Sequence, residues 1–264
     1  MSEIPRIRSA ARRILDGDSR GARMTLILAL IVTLVAAVGI CTVSLGLYSL
    51  GYLLFGEAAW LDVAANGIMI LLGIAVGLPL VASLFRMACL AAVVPAAKTA
   101  APALPEILYP FTSVRAYGRC MAVGLETLGW CALWLGIPAV TYSKLAAVFA
   151  HMAIRGYHTT LCNLLTVAAF LVCLAIGALM LFLSGRRMGY GYFVFSREDK
   201  SLREINRAFR KRPRGLVKPL LLRLNLLGWI AVSILGVLIP FVVHTIPYAL
   251  CLSAAYGQEM DVLE

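Results

Sequence analysis

The sequence predicts an all-α, polytopic transmembrane helix bundle of about six spans, and three observations carry that reading. Of its 264 residues 61% are hydrophobic and only 14% charged, against ~45–50% apolar usage in soluble domains. From Met24 to Gly56 no Asp, Glu, Lys or Arg interrupts the chain, and comparable runs recur towards the C-terminus. A spanning helix needs ~20 apolar residues, because the hydrocarbon core is ~30 Å thick and a helix rises ~1.5 Å per residue. Finally, the net charge of +11 is concentrated in short segments between the apolar runs. That distribution points to anionic membrane lipids as partners and away from nucleic acid. With short connections throughout, residues 1–264 read as a single membrane-embedded domain.

The first element expected is a helix near the N-terminus. Ile4, Ile7, Ala11, Ile14 and Leu15 recur at helical spacing, with Arg6, Arg8, Arg12 and Arg13 between them and Gly17 just beyond. This predicts an amphipathic helix lying on the membrane surface. Spans are expected over residues 24–52, 63–85, 120–142 and 159–184. The first of these is far longer than the ~7–15-residue core of a signal peptide, so it is expected to remain as a span. A second amphipathic helix is predicted over residues 201–211: Ser201 and Glu204 form a capping box, Leu202, Ile205 and Phe209 make the apolar stripe, and Pro213 stops the helix. The last two spans are expected over residues 216–239 and 241–256, with the turn at Pro240 and a kink at Pro247. A single crossing plus a re-entrant segment is the alternative for that region.

Orientation follows from Lys and Arg in the short loops, since cytoplasmic connections carry the excess. The N-terminal segment, the segment bearing Arg86, Lys98, Arg115 and Arg119, and the segment from Arg186 to Lys218 are all basic and are expected inside. The loop at 51–62 carries only the acids Glu57 and Asp62, and the loop after the third span only Lys144 and Arg155. Both are expected outside, giving a multi-pass protein of the cell membrane with cytoplasmic termini. Arg20-Gly21, Tyr117-Gly118 and Arg214-Gly215 each precede an outward span, and Ser83 to Met87 rhymes with Ser184 to Met188. These suggest two-span repeats over 1–100, 101–200 and 201–264, with chance likeness among apolar segments as the alternative.

Ionisable groups at membrane depth mark functional candidates because they are costly to place there. Glu126 lies within the third expected span and Arg223 at matched depth in the fifth, with Asn225 nearby. Such a pair either fixes helix register or serves a transport or ligand role, and Arg223 snorkelling towards the headgroups is the third reading. His244, in the last span, suits a proton relay or a packing hydrogen bond. The cluster Arg207, Arg210, Lys211, Arg212 and Arg214, with Arg12 and Arg13 on the first helix, is the candidate for headgroup binding, each charge near an anionic leaflet being worth about 1 kcal/mol. Gly73 with Gly77 and Gly185 with Gly189 match the small-residue spacing of close helix packing. The seven cysteines lie in or beside apolar runs without metal-ligand spacing, and His151 and His158 stand seven apart, so no metal and no cofactor are expected. No phosphate loop, catalytic triad or HExxH helix is present, which points away from an enzyme.

The stretches from Ala10 to Gly17 and from Ser201 to Phe209, the run Leu226 to Trp229, Pro247 with Tyr248, and Ala255 with Tyr256 carry a likeness spread over most of the chain. In these the chain resembles an uncharacterised family of bacterial polytopic integral membrane proteins. The resemblance implies a helical membrane fold and brings no catalytic residue with it.

Overall fold

The computed structural model describes residues 3–16, 20–56, 59–93, 104–211, 217–224, 226 and 244–262, and among them every regular element is helical. The helices are α1 (Glu3–Asp16), α2 (Arg20–Phe55), α3 (Ala59–Leu72), α4 (Leu78–Val93), α5 (Val114–Cys131), α6 (Ile137–Ile154), α7 (Thr159–Ser184), α8 (Tyr190–Ser196), α9 (Leu202–Lys211), α10 (residues 217–224) and α11 (Ile246–Val262). Short 3₁₀ segments occupy Leu104–Phe111 and Gly185–Arg187.

Four helical stretches are long and apolar enough to cross a membrane: Arg23–Phe55, Trp60–Ala92, Ile137–Ile154 and Thr159–Met180. Protein covers little of them. Only 17% of the most apolar window of the first is buried and 11% of the last, and Leu53, Leu54, Val63, Leu71, Leu164 and Leu171 are all exposed. A soluble monomer tolerates exposed apolar patches of a few hundred Å². Helices that are apolar all round and uncovered belong in hydrocarbon, so the chain is a multi-pass membrane protein. Gly56 and Gly156, at φ 71° and 90°, turn the chain between the first and second and between the third and fourth of these stretches. Phe55 and Trp60 meet edge to face across the first turn, 5.6 Å between ring centroids, and an amphipathic ring such as that of Trp60 suits headgroup level.

Two expectations shift. The third apolar helix covers 137–154 instead of 120–142, so Lys144 lies inside α6 and not in a loop. A lysine interrupts a hydropathy run without interrupting a helix, because it is a good helix former. Of the segment 241–256, residues 241–243 lie outside the described residues, 244–245 are π-helical and the rest belongs to α11 (Ile246–Val262), which is not among the four apolar stretches. Most of 216–239 lies outside the described residues; its start is α10.

The chain forms two compact units. In the first (Met1–Gly124, Gly189–Arg212, Leu222–Glu264), α11 packs against α1, α4 and α8, while α4 also packs against α2 and the Leu104–Phe111 turn. Ile7, Ala11 and Leu15 of α1 are almost fully buried. The middle of the stripe that the sequence assigns to the membrane surface is therefore covered by protein, while Arg6, Arg12 and Arg13 are exposed. In the second unit (Leu125–Met188, Pro213–Leu221), α6 pairs with α7, and Tyr142 meets Phe170 edge to face at 5.5 Å.

Two π-helical segments, Gly73–Gly77 and Ala132–Gly136, each stand just before an X-Pro pair, Leu78-Pro79 and Ile137-Pro138. Leu78 N–H donates to Gly73 O and Ile137 N–H to Ala132 O, the five-residue step of a π-turn. Proline explains the shift: Pro79 has no N–H for the Ala75 carbonyl four residues back. The Tyr117 hydroxyl, from α5, supplies that missing donor at 3.0 Å. Gly73 and Gly77 thus belong to a π-turn and not to a close helix contact; a Cβ on Gly73 would meet nothing within 4 Å. In the other match Gly185 opens a 3₁₀ turn, and Gly189 takes a left-handed φ of 86° ahead of α8 and does approach its neighbour closely: a Cβ there would lie 3.0 Å from Gly257 Cα. Gly124 is closer still to its neighbour, since a Cβ there would lie 2.6 Å from Leu78 Cγ.

Candidate functional site: the basic helix and the arginines that hold it

Helix α9 begins on the capping box read from the sequence. Ser201 N–H donates to Glu204 Oε2 at 2.9 Å, and Glu204 N–H to Ser201 Oγ at 3.3 Å. The backbone N–H of Ser201, and then its hydroxyl, hold the Glu204 carboxyl below its ordinary pKa. Ile205 and Phe209 are buried, the Phe209 ring lying 5.4 Å from both Tyr190 and Phe193. Arg203, Arg207, Arg210 and Lys211 are exposed. An open cavity of about 490 Å³ beside them is lined by Lys200, Glu204, Arg207, Ala208 and Lys211.

The segment leading into α9 is pinned by arginines that the sequence reading treats only as topology signals. Arg119 is 2% exposed. Its Nη1 donates to Val194 O at 2.6 Å and Arg197 O at 3.3 Å, and its Nη2 to Glu198 O at 2.8 Å and Lys200 O at 2.6 Å. A helix end leaves carbonyls without intrahelical donors, and one guanidinium with five N–H groups serves the end of α8 and the following turn together. Arg115 adds a bond to Asp199 O at 3.0 Å. Arg86 is ion-paired with Glu106 and, at 3.2 Å, with Glu198, and its guanidinium stacks 3.7 Å from the Tyr109 ring centroid. Arg197 pairs with Asp261 of α11 at 2.6 Å. The available signal was the acids Glu106 and Glu198 within otherwise basic segments, and Asp261 in the acidic C-terminal stretch.

The remaining candidates fall as follows. Arg12 and Arg13 are exposed on α1. Arg212, Arg214 and Asn225 lie outside the described residues. Glu126 makes an ion pair with Arg187 at 3.1 Å, both within the second unit, where the sequence reading named Arg223; Arg223 is half-buried on α10. Arg187 and Arg86 occupy the rhyming positions of the two Ser-to-Met stretches, and each is paired with a carboxylate. His244 accepts from Arg23 at 3.4 Å and stacks with Tyr248. Cys89, Cys120, Cys162, Cys173 and Cys251 are buried. Among the described residues no group of three His, Cys, Asp or Glu is placed to hold a metal ion. No family model, curated protein or solved structure matches the chain.

Proposed function

We propose that this is a non-enzymatic inner-membrane protein that engages anionic lipid, or an acidic partner protein, through its cytoplasmic basic amphipathic helices. The observation that carries the reading is the mounting of α9. Its apolar residues Ile205 and Phe209 are used for packing while Arg203, Arg207, Arg210 and Lys211 remain outward around an open cavity. A helix serving only as a topology signal needs charge, not a braced capping segment. Four or five such cations near an acidic leaflet amount to about 4–5 kcal/mol. Gentle extraction followed by native mass spectrometry compares the protein with a variant carrying Arg207→Gln, Arg210→Gln, Lys211→Gln and Arg212→Gln. Acidic lipid retained by the first and lost by the second is the expected result; identical lipid retention defeats lipid engagement as the function.

A second reading, transport of a small solute or ion, rests on Glu126, whose carboxylate meets Arg187 within the second unit; the sequence adds Arg223 as a further partner. In proteoliposomes Glu126→Gln should then abolish flux of the transported species without lowering the unfolding temperature.

A further inference from the structure

Helix α6 carries a charge in the middle of an uncovered apolar face. It is one of the four stretches long and apolar enough to cross a membrane, and only 6% of its window is buried. Lys144 is exposed on it, flanked one turn either side by Val140 and Val148, which are 60% and 54% exposed. Within the same unit α6 pairs with α7, and the contact of Tyr142 with Phe170 sets the level of that pairing. Phe170 stands at the middle of the apolar stretch of α7, Thr159–Met180, and Lys144 follows Tyr142 by two residues, about 3 Å along the helix. Lys144 therefore lies near the centre of the hydrocarbon, about 15 Å from either surface. A lysine snorkels to the headgroups from near a helix end, not from the middle. Among the described residues no hydrogen bond or ion pair includes Lys144.

We propose that this face of α6 docks a transmembrane helix of another membrane protein, one that carries a carboxylate at mid-bilayer depth opposite Lys144. Ionisable side chains at such depth pair with one another or face a polar interior, and Lys144 does neither among the described residues. The partner's chemistry follows from the charge: an ammonium has donors only, and a carboxylate both accepts from it and neutralises it. Val140 and Val148 supply apolar packing on either side of the pair, and the exposed Thr141 adds a hydroxyl of the kind that bonds across helices in lipid.

A second copy of this chain does not bring that carboxylate. Of the 13 acids in the sequence, Asp62 is the only one within the four apolar stretches, and it is the third residue of its own, Trp60–Ala92, far from the middle. Glu126 is held by Arg187 and lies 18 residues before Lys144, about 27 Å along the helix. Residues 225–243, which the sequence assigns to the last spans, contain no acid. The occupant is therefore a different protein, met inside the bilayer and independently of the α9 surface.

The test uses the full chain, fused to a fluorescent donor, in vesicles of phosphatidylcholine. The probes are acceptor-labelled polyleucine transmembrane peptides carrying one Glu at the centre, one Gln at the centre, or one Glu near an end. Energy transfer should report association about tenfold tighter for the central Glu than for either other peptide, the size of one good interhelical hydrogen bond in lipid. Comparing peptides on the unaltered chain keeps the result independent of how any variant folds. Lys144→Gln should abolish the difference between peptides at an unchanged unfolding temperature, and Lys144→Arg should keep most of it. Equal association of all three peptides overturns the proposal, as does a preference for the central Glu that survives Lys144→Gln. Two further outcomes overturn it in favour of another occupant. Rapid modification of Lys144 by a membrane-impermeant amine reagent would show the ammonium at the headgroups, and energy transfer between donor and acceptor copies that is lost in Lys144→Gln would make the occupant a second copy. Each of these outcomes leaves the α9 reading untouched.

Discussion

At the residue scale, single side chains complete backbone hydrogen bonding that the helices themselves cannot. Arg119 is buried and bonded to four carbonyls; replacing it by Met strands those acceptors. The expected cost of Arg119→Met is about 3–5 kcal/mol in detergent unfolding, the range for breaking a buried hydrogen-bond network. Arg119→Lys should recover only part, because an ammonium cannot reproduce the two-pronged guanidinium geometry. Tyr117 makes a subtler case. Its hydroxyl serves the Ala75 carbonyl that Pro79 deprives of a partner. Tyr117→Phe should cost about 1–3 kcal/mol, and much less in a Pro79→Ala background, where the restored N–H can take over. Equal losses in both backgrounds would show that the tyrosine acts otherwise. Neither role was legible beforehand, for a physical reason: hydropathy and charge counts register an arginine as a topology signal and a tyrosine as a membrane anchor, but not which distant carbonyl lacks a donor.

At the element scale, local sequence rules succeeded where the relevant interactions are local. The capping box of α9 involves residues three apart, so Ser201 and Glu204 were legible, as were Ile205 and Phe209 as the inner face. What covers that face was not, because Tyr190 and Phe193 arrive from a separate helix. The same limit applies to α1, whose arginine-flanked stripe reads like a membrane-surface helix but has its middle covered within the protein. The cap also predicts a pH response. Glu204 has a folded pKa below its ordinary 4.5, so its ionised form favours the helix, a contribution present above the unfolded value and lost as pH falls through the folded one. Hydrogen exchange of α9 amides, corrected for intrinsic rate, should therefore lose protection on acidification below about pH 4.5. Glu204→Gln should be indifferent over that range. An α9 that loosens equally in both forms would place the response elsewhere.

At the scale of the whole molecule, the open matter is how many times the last third of the chain crosses. The apolar runs alone permit two crossings, or one with a re-entrant segment. Ion pairs discriminate between them, because both partners of a charged pair must share a side of the hydrocarbon. Near the end of α11, Glu259 pairs with Arg6 of α1 at 3.4 Å, and Asp261 pairs with Arg197, ahead of α9, at 2.6 Å. The C-terminal end of α11 therefore lies on the same side as the N-terminal helix and the capping segment of α9. We therefore expect an even number of crossings between Lys200 and Glu259, as two spans over 216–239 and 241–256 would give, rather than a single crossing. The positive-inside bias predicts that this shared side is cytoplasmic. A C-terminal green fluorescent protein fusion should consequently fluoresce, a C-terminal alkaline phosphatase fusion should be inactive, and Arg13→Cys should resist a membrane-impermeant maleimide in intact cells. His158→Cys, in the turn between α6 and α7, should be labelled. An active C-terminal phosphatase together with a protected Arg13→Cys would put the two ends of the chain on opposite sides, and the Arg6–Glu259 pair could not then exist in the membrane.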